Sequence, residues 1–441
     1  MHTKYTNGEI WKVAYPILIS LIMEQLIGMT DTAFMGRVGE VELGASAIAG
    51  VYYLAIFMLG FGFSIGSQIL IARRNGEGNF RMIGSIFYQG IYFLLGMALV
   101  MFTMSRLFSP WILSHVVASP RICEAAVSYI NWRVFGFFFS FVAIMFRAFF
   151  VGTTQTKTLT LNSIVMVTSN VVFNYILVFG KLGFPALGIA GAAIGSSLAE
   201  LVSMLFFIIY TTRKVDCAKY GLNQLVSFRW TELKRIMGVS LWTMIQNAVS
   251  ISTWFLFFIF IEHLGERSLA ITNIVRNVSS IMTITAFAST CSSLVSNLIG
   301  SGEARYVMPT IRQHVRLCTC IVWPVILLIA CLPTYVLRIY TDMPDLVEAA
   351  VPTLWVLCSS YLLQCAGFIF FQSVSGTGDT RSAFLLEIVA LTCYLIFIVT
   401  VILLLKMDVA VCWFAEHVYA GAIGLLSYLY LKKGSWQRKQ I

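Results

Sequence analysis

One aspartate, Asp31, stands inside the apolar stretch QLIGMTDTAF of residues 25–34. An acidic side chain within a membrane helix costs at least about 2.5 kcal/mol on insertion scales, so it usually serves a function. Glu24 stands seven residues earlier, which places both acids on nearly one face of a helix and lets their protonation couple. Such acids can take up and release a proton or a metal cation. For Asp31, the structural alternative is a helix end at the membrane interface.

Polar side chains recur at a spacing of four residues in two later apolar stretches. Asn170 and Asn174 share one helical face, and Ser196 and Glu200 share another. Amide and hydroxyl oxygens beside a carboxylate are ligands that a hard cation prefers. The alternatives are hydrogen bonds between helices for the asparagines and a buried ion pair with an arginine for Glu200.

Other ionisable residues also lie within apolar stretches, and they are Arg133, Arg147, Arg276, Glu387, Glu416 and His417. Either of the first two arginines could be the partner of Glu200. A pairing of Arg276 with Glu387 would neutralise both side chains, and Glu416 with His417 is a candidate for a second proton site.

Pro16 lies fifteen residues before Asp31. Because proline has no N–H, it removes one helix hydrogen bond and permits a bend. A bend that responds to protonation would act as a gate, so Pro16 is a candidate for gating or coupling. A proline that is simply tolerated in a membrane helix is the alternative.

Composition identifies the environment that must position these residues. Hydrophobic residues make up 59% of the 441, charged residues 11%, and the mean hydropathy is +0.84. These values predict an all-α integral membrane protein, since a membrane barrel would alternate apolar and polar residues. We expect twelve transmembrane helices near residues 11–35, 43–72, 82–105, 122–150, 158–180, 185–212, 236–261, 268–299, 317–337, 346–373, 382–405 and 409–431.

Basic residues are concentrated in alternate loops, as in 213–235, in the loop with Arg305, Arg312 and Arg316, and in the tail. This bias predicts that both termini are cytoplasmic, and it explains the net charge of +10 without a nucleic-acid partner. We expect no cleaved signal peptide. HExxH and CxxC motifs are absent from the sequence, which argues against an enzyme, and we expect no cofactor and no resident metal.

The chain repeats itself. Gly39 in GEVELGAS corresponds to Gly265 in GERSLAIT, and Gly152 in GTTQTKT corresponds to Gly376 in GTGDTRS. Near-constant spacing of such anchors predicts a six-helix unit used twice. We therefore expect an N-terminal lobe at 1–212, a cytoplasmic linker at 213–235 and a C-terminal lobe at 236–441. The same shift carries Asp31 onto Trp254 to Phe257, and it carries Asn170, Asn174 and Glu200 onto Tyr394, Ile398 and Gly424. The fold itself therefore does not require these four polar residues.

The proline followed by DTAFMGRVG, the twelve-span duplication and the paired GTTQTKT and GTGDTRS loops resemble the multidrug and toxic compound extrusion (MATE) family. The resemblance covers nearly the whole chain. It is closer to the DinF-like branch than to the NorM-like branch, whose acids in the seventh and tenth spans are replaced here by Gln246, Asn247, Gln364 and Gln372.

The resemblance implies two six-helix bundles around a V-shaped central cleft, with a cation held by Asp31, Asn170, Asn174 and Ser196. Archaeal relatives carry a second aspartate where this chain has Asn174. Glu200 or Glu24 is a candidate to replace that acid.

The implied function is a monomeric antiporter of the bacterial inner membrane. It would export amphipathic, cationic organic molecules by alternating access, in exchange for H⁺ or for an Na⁺ bound at the same site. The alternative is a flippase for lipids or lipid-linked saccharides from the same superfamily. Such a flippase would need a large cationic cleft, whereas arginines within the spans are few.

Overall fold

The computed structural model describes residues 3–280 and 284–438, and every regular element within these ranges is helical. Ten helices of this described part are long and apolar enough to cross a membrane, and two bent helix pairs raise the number of spans to twelve. The all-α, twelve-span prediction is therefore confirmed.

The elements follow one another along the chain without strands between them in the described ranges. The first six spans are α1 (Asn7–Val38), α2 (Glu40–Gly76), α3 (Phe80–Val116), the bent pair α4 (Pro120–Arg133) and α5 (Gly136–Gly152), α6 (Lys157–Phe179) and α7 (Ile189–Lys214). The second half contains α8 (Trp230–Glu262), the pair α9 (Glu266–Ser280) and α10 (Ile284–Gly300), α11 (Val307–Cys331), the short α12 (Pro333–Arg338), α13 (Pro344–Gly376), α14 (Thr380–Ile398), the short α15 (Val409–Cys412) and α16 (Ala415–Lys433). A π-helical turn, Val399–Leu404, extends α14.

Two of the predicted spans are broken rather than straight. The axes of α4 and α5 differ by 53° across Val134 and Phe135, and those of α9 and α10 differ by 47°. At the first break the hydroxyl of Ser197 lies 3.3 and 3.4 Å from the carbonyl oxygens of Trp132 and Arg133. A side chain from α7 thus satisfies carbonyls that the interrupted helix leaves without a partner.

The ninth span was predicted at 317–337, and that position is wrong. Helix α11 begins ten residues earlier and ends at Cys331, and Pro333 opens the separate helix α12. Arg312 and Arg316 were expected in a loop. They lie within α11 on its exposed face, where long basic side chains can extend toward water without interrupting the helix.

Two compact units divide the chain, and each has its own core. We call Tyr15–Met244 the first unit and Met1–Ala14 with Ile245–Ile441 the second unit. Fully buried phenylalanines, among them Phe137, Phe141 and Phe149, form the core of the first unit. The first fourteen residues thus group with the second half, and the division into functional lobes at 1–212 and 236–441 stays a prediction.

The segment between α7 and α8 was predicted as a linker at 213–235, and helices occupy both of its ends. The non-helical part, residues 215–229, is bound along α3. Tyr88 and Tyr92 donate to the carbonyl oxygens of Leu222 and Val226 at 2.7 and 2.6 Å. Because side chains of a membrane helix fix this connection, it packs as a part of the first unit.

Candidate functional site

Asp31 lies in the last third of α1, where side chains from two other helices approach its carboxylate. The amide nitrogen of Asn174, on α6, donates to Oδ1 of Asp31 at 2.5 Å. The hydroxyl of Ser196, on α7, lies 3.4 Å from Oδ2. Both carboxylate oxygens therefore receive a donor from within the first unit, which offsets part of the cost of removing a charge from water.

The two asparagines extend this contact into a small network. Asn174 also lies 3.3 Å from the side-chain oxygen of Asn170, one helical turn away, and Asn170 donates to Ser196 at 3.2 Å. Both asparagines are fully buried. The structure thus brings together the four residues singled out from the sequence, Asp31, Asn170, Asn174 and Ser196, and their role in binding a cation stays a prediction.

Close packing of α6 against α7 positions Asn174. A side chain at Gly195 would collide with Oδ1 of Asn174, and its Cβ would lie 3.2 Å from the Asn174 backbone nitrogen. Oδ1 itself is buried and has no hydrogen-bond partner among the described residues. The hydrogen-bonding capacity of one amide oxygen near the carboxylate is therefore unused among the described residues.

Glu200 lies one turn beyond Ser196, and an arginine neutralises it. Arg133, the last residue of α4, donates to both carboxylate oxygens of Glu200 at 2.8 and 2.7 Å. The guanidinium lies 3.7 Å from the ring centroid of Tyr53, whose hydroxyl donates to the same carboxylate. Of the two arginines that the sequence left open, the structure selects Arg133.

Glu24 has a much weaker partner. Its carboxylate lies 3.4 Å from the Arg147 guanidinium, and half of its side chain is exposed. Farther toward the start of α1, the helix continues through Pro16, whose carbonyl oxygen accepts from Thr160 at 3.2 Å. Gating by Pro16 and a coupling role for Glu24 stay predictions.

Two acids within the membrane spans of the second unit, Glu387 and Glu416, have polar but uncharged hydrogen-bond partners. Glu387 accepts from Ser250 and from Tyr419, and Gln364 donates to Glu416 at 3.4 Å. The suggested pairing of Glu387 with Arg276 is wrong, because the Arg276 guanidinium lies over the rings of Trp254 and Phe258. His417 contacts Ser359 at 2.8 Å, so it does not share a hydrogen bond with its neighbour Glu416 in this arrangement.

Sequence reasoning missed two residues of this region, Tyr53 and Gly195. Tyr53 stacks on Arg133 with one face and on Phe137 with the other, at a centroid distance of 4.6 Å. Neither residue stands in a polar motif, so only the tertiary arrangement shows what they contact. A glycine four residues from another glycine, Gly191, is nevertheless typical of close helix packing in membranes.

Comparison with known proteins adds the family. The sequence pattern that defines the MatE family matches residues 16–176 and 243–418, which is most of the chain. A probable multidrug resistance protein NorM from Thermotoga maritima is 22% identical over 441 residues, covering 98% of this chain and 94% of the relative. A protein of the same name from Shewanella oneidensis is 23% identical, covering 87% and 84%.

Solved structures show the same fold. An outward-facing multidrug resistance MATE family transporter of the MOP superfamily superposes with a TM-score of 0.89 at 17% identity, covering 98% of this chain and 96% of that one. A MOP superfamily transporter from Pyrococcus furiosus gives 0.86 at 16% identity, with the same coverage.

The helical spans show a multi-pass membrane protein, and the family match shows a transporter and not an enzyme. The chain belongs to the MatE family. The expected family and the absence of enzymatic function are thereby confirmed. The relatives carry the name NorM, and assignment to the DinF-like branch stays a prediction.

Proposed function

We propose that the protein is a multidrug efflux antiporter that exports amphipathic, cationic organic molecules and takes up H⁺ or Na⁺ in exchange. The names of the relatives support multidrug export. The observation that carries the coupling is the position of Asp31, a carboxylate held by Asn174 and Ser196 inside a membrane helix bundle. The protein acts as a monomer in the cytoplasmic membrane.

Asp31 is the group that changes charge in this proposal. In the ionised state its oxygens accept from Asn174 and Ser196, which stabilises the negative charge until a cation arrives. Binding of H⁺ or Na⁺ neutralises the carboxylate, and alternating access then releases the cation to the cytoplasm. An unneutralised carboxylate is costly in the low-dielectric helix bundle, so the change between outward-open and inward-open states is favoured only after an ion has bound. Ion binding and this conformational change are thereby coupled.

The two candidate ions use the surrounding oxygens differently. A proton needs only Asp31 itself. An Na⁺ would also need neutral oxygen ligands, and those present are the side-chain oxygens of Asn170, Asn174 and Ser196. Since Oδ1 of Asn174 has no partner within the described ranges, a ligand of this kind is present.

We propose that Glu24, and not Glu200, supplies the acid that archaeal relatives have at the position of Asn174. Both oxygens of Glu200 are bonded to Arg133, so a cation would have to displace an arginine. Glu24 lies on the same helix as Asp31 and is half exposed, and its one ion pair within the described ranges is the long contact with Arg147. Glu200 then supports the site by fixing α7 against α4.

The test is Asp31→Asn in proteoliposomes that carry an organic cation and an imposed H⁺ or Na⁺ gradient. We expect this variant to fold and to lose gradient-driven export. The amide retains the shape of the side chain, but it has no negative charge with which to take up a proton or neutralise an Na⁺. Asp345→Asn, in the first turn of α13, is the matched control and should export normally. Normal export by Asp31→Asn under either gradient would show that the coupling site lies elsewhere.

A further inference from the structure

A groove on the second unit lies between α11 and α13. Its volume is about 330 Å³, and it is lined by Arg312, Val315, Arg316, Thr319, Cys320 and Phe370. The Phe370 ring packs edge-on against Tyr428 of α16 at a centroid distance of 5.5 Å, so a third helix supports this wall. The groove thus combines two guanidinium groups with an apolar floor.

The two arginines face the surroundings of the helix bundle. Arg312, Arg316 and Cys320 are exposed at a spacing of four residues, and the same stripe continues through Trp323 and Leu327. His314 and Cys318, on the opposite face of α11, are fully buried. Because the stripe changes from basic to apolar along the helix, it matches the change from headgroups to hydrocarbon in one membrane leaflet.

The depth of the arginines fits the headgroup region of that leaflet. At about 1.5 Å per residue, Arg312 and Arg316 lie roughly 8 and 14 Å from the start of α11. Long arginine side chains extend toward the interface from such depths. Cys320 lies one turn deeper than Arg316, and the apolar end of the groove is therefore the end nearer the membrane centre.

The charge of the groove defines the ligand. No acidic side chain lines it, and Arg316 forms no hydrogen bond or ion pair with any described residue. Guanidinium groups bind phosphate with two parallel hydrogen bonds. Basic pockets between membrane helices on the cytoplasmic side bind anionic lipid headgroups in this way.

We propose that this groove binds an anionic glycerophospholipid, with the phosphate at Arg312 and Arg316 and an acyl chain along Cys320 and Phe370. A lipid is the occupant because the arginines share the lipid-facing stripe and because the floor is apolar. A free phosphate ion would use the arginines alone. The site is separate from the Asp31 cluster, and the proposal does not depend on the coupling mechanism.

The experiment is native mass spectrometry of the full-length protein in detergent, with phosphatidylglycerol or phosphatidylcholine added as the probe. We expect the protein to retain phosphatidylglycerol, and the Arg312→Gln/Arg316→Gln variant to bind it at least about tenfold more weakly. Lys432→Gln/Lys433→Gln removes an exposed basic pair from the end of α16 and should leave retention unchanged. Cys320→Phe fills the apolar floor without changing charge, and it should also weaken retention.

Three outcomes would overturn the proposal. Equal retention of phosphatidylcholine, which has a phosphate but no net charge, would show that the groove does not select for an anionic headgroup. Unchanged retention by the double arginine variant would place the lipid elsewhere. Displacement of phosphatidylglycerol by millimolar inorganic phosphate would make the groove a site for free anions. Should the glutamine variant fail to fold, the variant Arg312→Lys/Arg316→Lys replaces it, because lysine keeps the positive charge. Weaker retention by the lysine variant would support recognition by the guanidinium pair. Unchanged retention would exclude such recognition.

Discussion

Two acids of the first unit, Asp31 and Glu200, have different kinds of hydrogen-bond partner. Asp31 is bonded only to uncharged donors, whereas Glu200 is bonded to both nitrogens of one guanidinium. An acid that no guanidinium binds directly can exchange its cation at lower cost, whereas removing the partner of a buried pair leaves an isolated charge. The first arrangement suits transport and the second suits stability.

We therefore predict that Arg133→Gln lowers the free energy of unfolding by about 3–5 kcal/mol, because Glu200 would be left charged and buried. The double variant Arg133→Gln/Glu200→Gln should recover most of this loss. Thermal unfolding in detergent measures both. Arg147→Gln is the matched control, since its pair with Glu24 is long and half exposed, and it should cost less than about 1 kcal/mol.

Part of the site could be predicted from the sequence. The four-residue spacing of Asn170 and Asn174 placed them on one face, and the family resemblance placed that face near Asp31. The contacts of Tyr53 and Gly195 could not be predicted in this way, because they depend on how separate helices pack. The pairing of Glu387 with Arg276 was wrong for the same reason: opposite charge in a sequence does not show which helix faces which.

At the scale of helices, contact between α6 and α7 is made possible by Gly191 and Gly195. A Cβ at Gly191 would lie 2.5 Å from the carbonyl oxygen of Leu177. We predict that Gly195→Ala separates the two helices, lowers the free energy of unfolding by about 1–3 kcal/mol and abolishes coupled export, since Asn174 would be displaced. Unfolding and proteoliposome assays measure the two effects.

Gly50→Ala is the matched control for this glycine. Gly50 also lies inside a helix, α2, but a Cβ there would meet nothing within 4 Å. It should export normally and be at least as stable as the native chain, because alanine favours helix more than glycine does. If both alanine variants behave alike, close packing at Gly195 is not required.

The N-terminal segment is bound to the second unit by an exposed ion pair. Lys4 lies 2.7 Å from Glu303, and this hydrogen bond is the main cause that lowers the pKa of Glu303 below its ordinary value of 4.5. Because the folded pKa is the lower one, the pair stabilises the segment above about pH 4.5 and is lost as the pH falls through the folded pKa.

Hydrogen exchange of residues 3–10, measured between pH 3 and pH 7 and corrected for intrinsic rates, should therefore show faster opening in acid. Glu303→Gln should reduce this pH dependence and leave the part due to Glu9, whose pKa is also lowered, chiefly by the hydrogen bond from the Thr6 backbone N–H. Glu77→Gln should leave it unchanged, since Glu77 pairs locally with Arg74. Equal pH dependence in the native chain and in Glu303→Gln would rule out this pair as the cause.

The start of α11 marks the limit of predicting helices from hydropathy. Arg312 and Arg316 made the segment resemble a loop, although a helix with one exposed face accommodates both. Positions of most spans followed from apolar runs about 20 residues long. The bends between α4 and α5 and between α9 and α10 were not predicted, although the first helix of each pair is less apolar than the second.

For the whole molecule, the distribution of basic residues predicts an orientation in the membrane. We predict that both termini are cytoplasmic. A fluorescent protein fused after residue 441 should then fluoresce. Alkaline phosphatase fused at Gly183, in the loop before α7, should be active, and the same fusion at Leu222 should be inactive. The reverse pattern of activity would invert the proposed direction of transport.

The two bent helix pairs fall at positions that are not equivalent in the repeat. In the first half, α2 is continuous and the fourth span is divided into α4 and α5. In the second half, the counterpart of α2 is divided into α9 and α10, whereas α13, the counterpart of the fourth span, is continuous. The two halves of the chain thus bend at different members of the predicted repeat. We therefore expect the two halves to contribute different motions to a transport cycle.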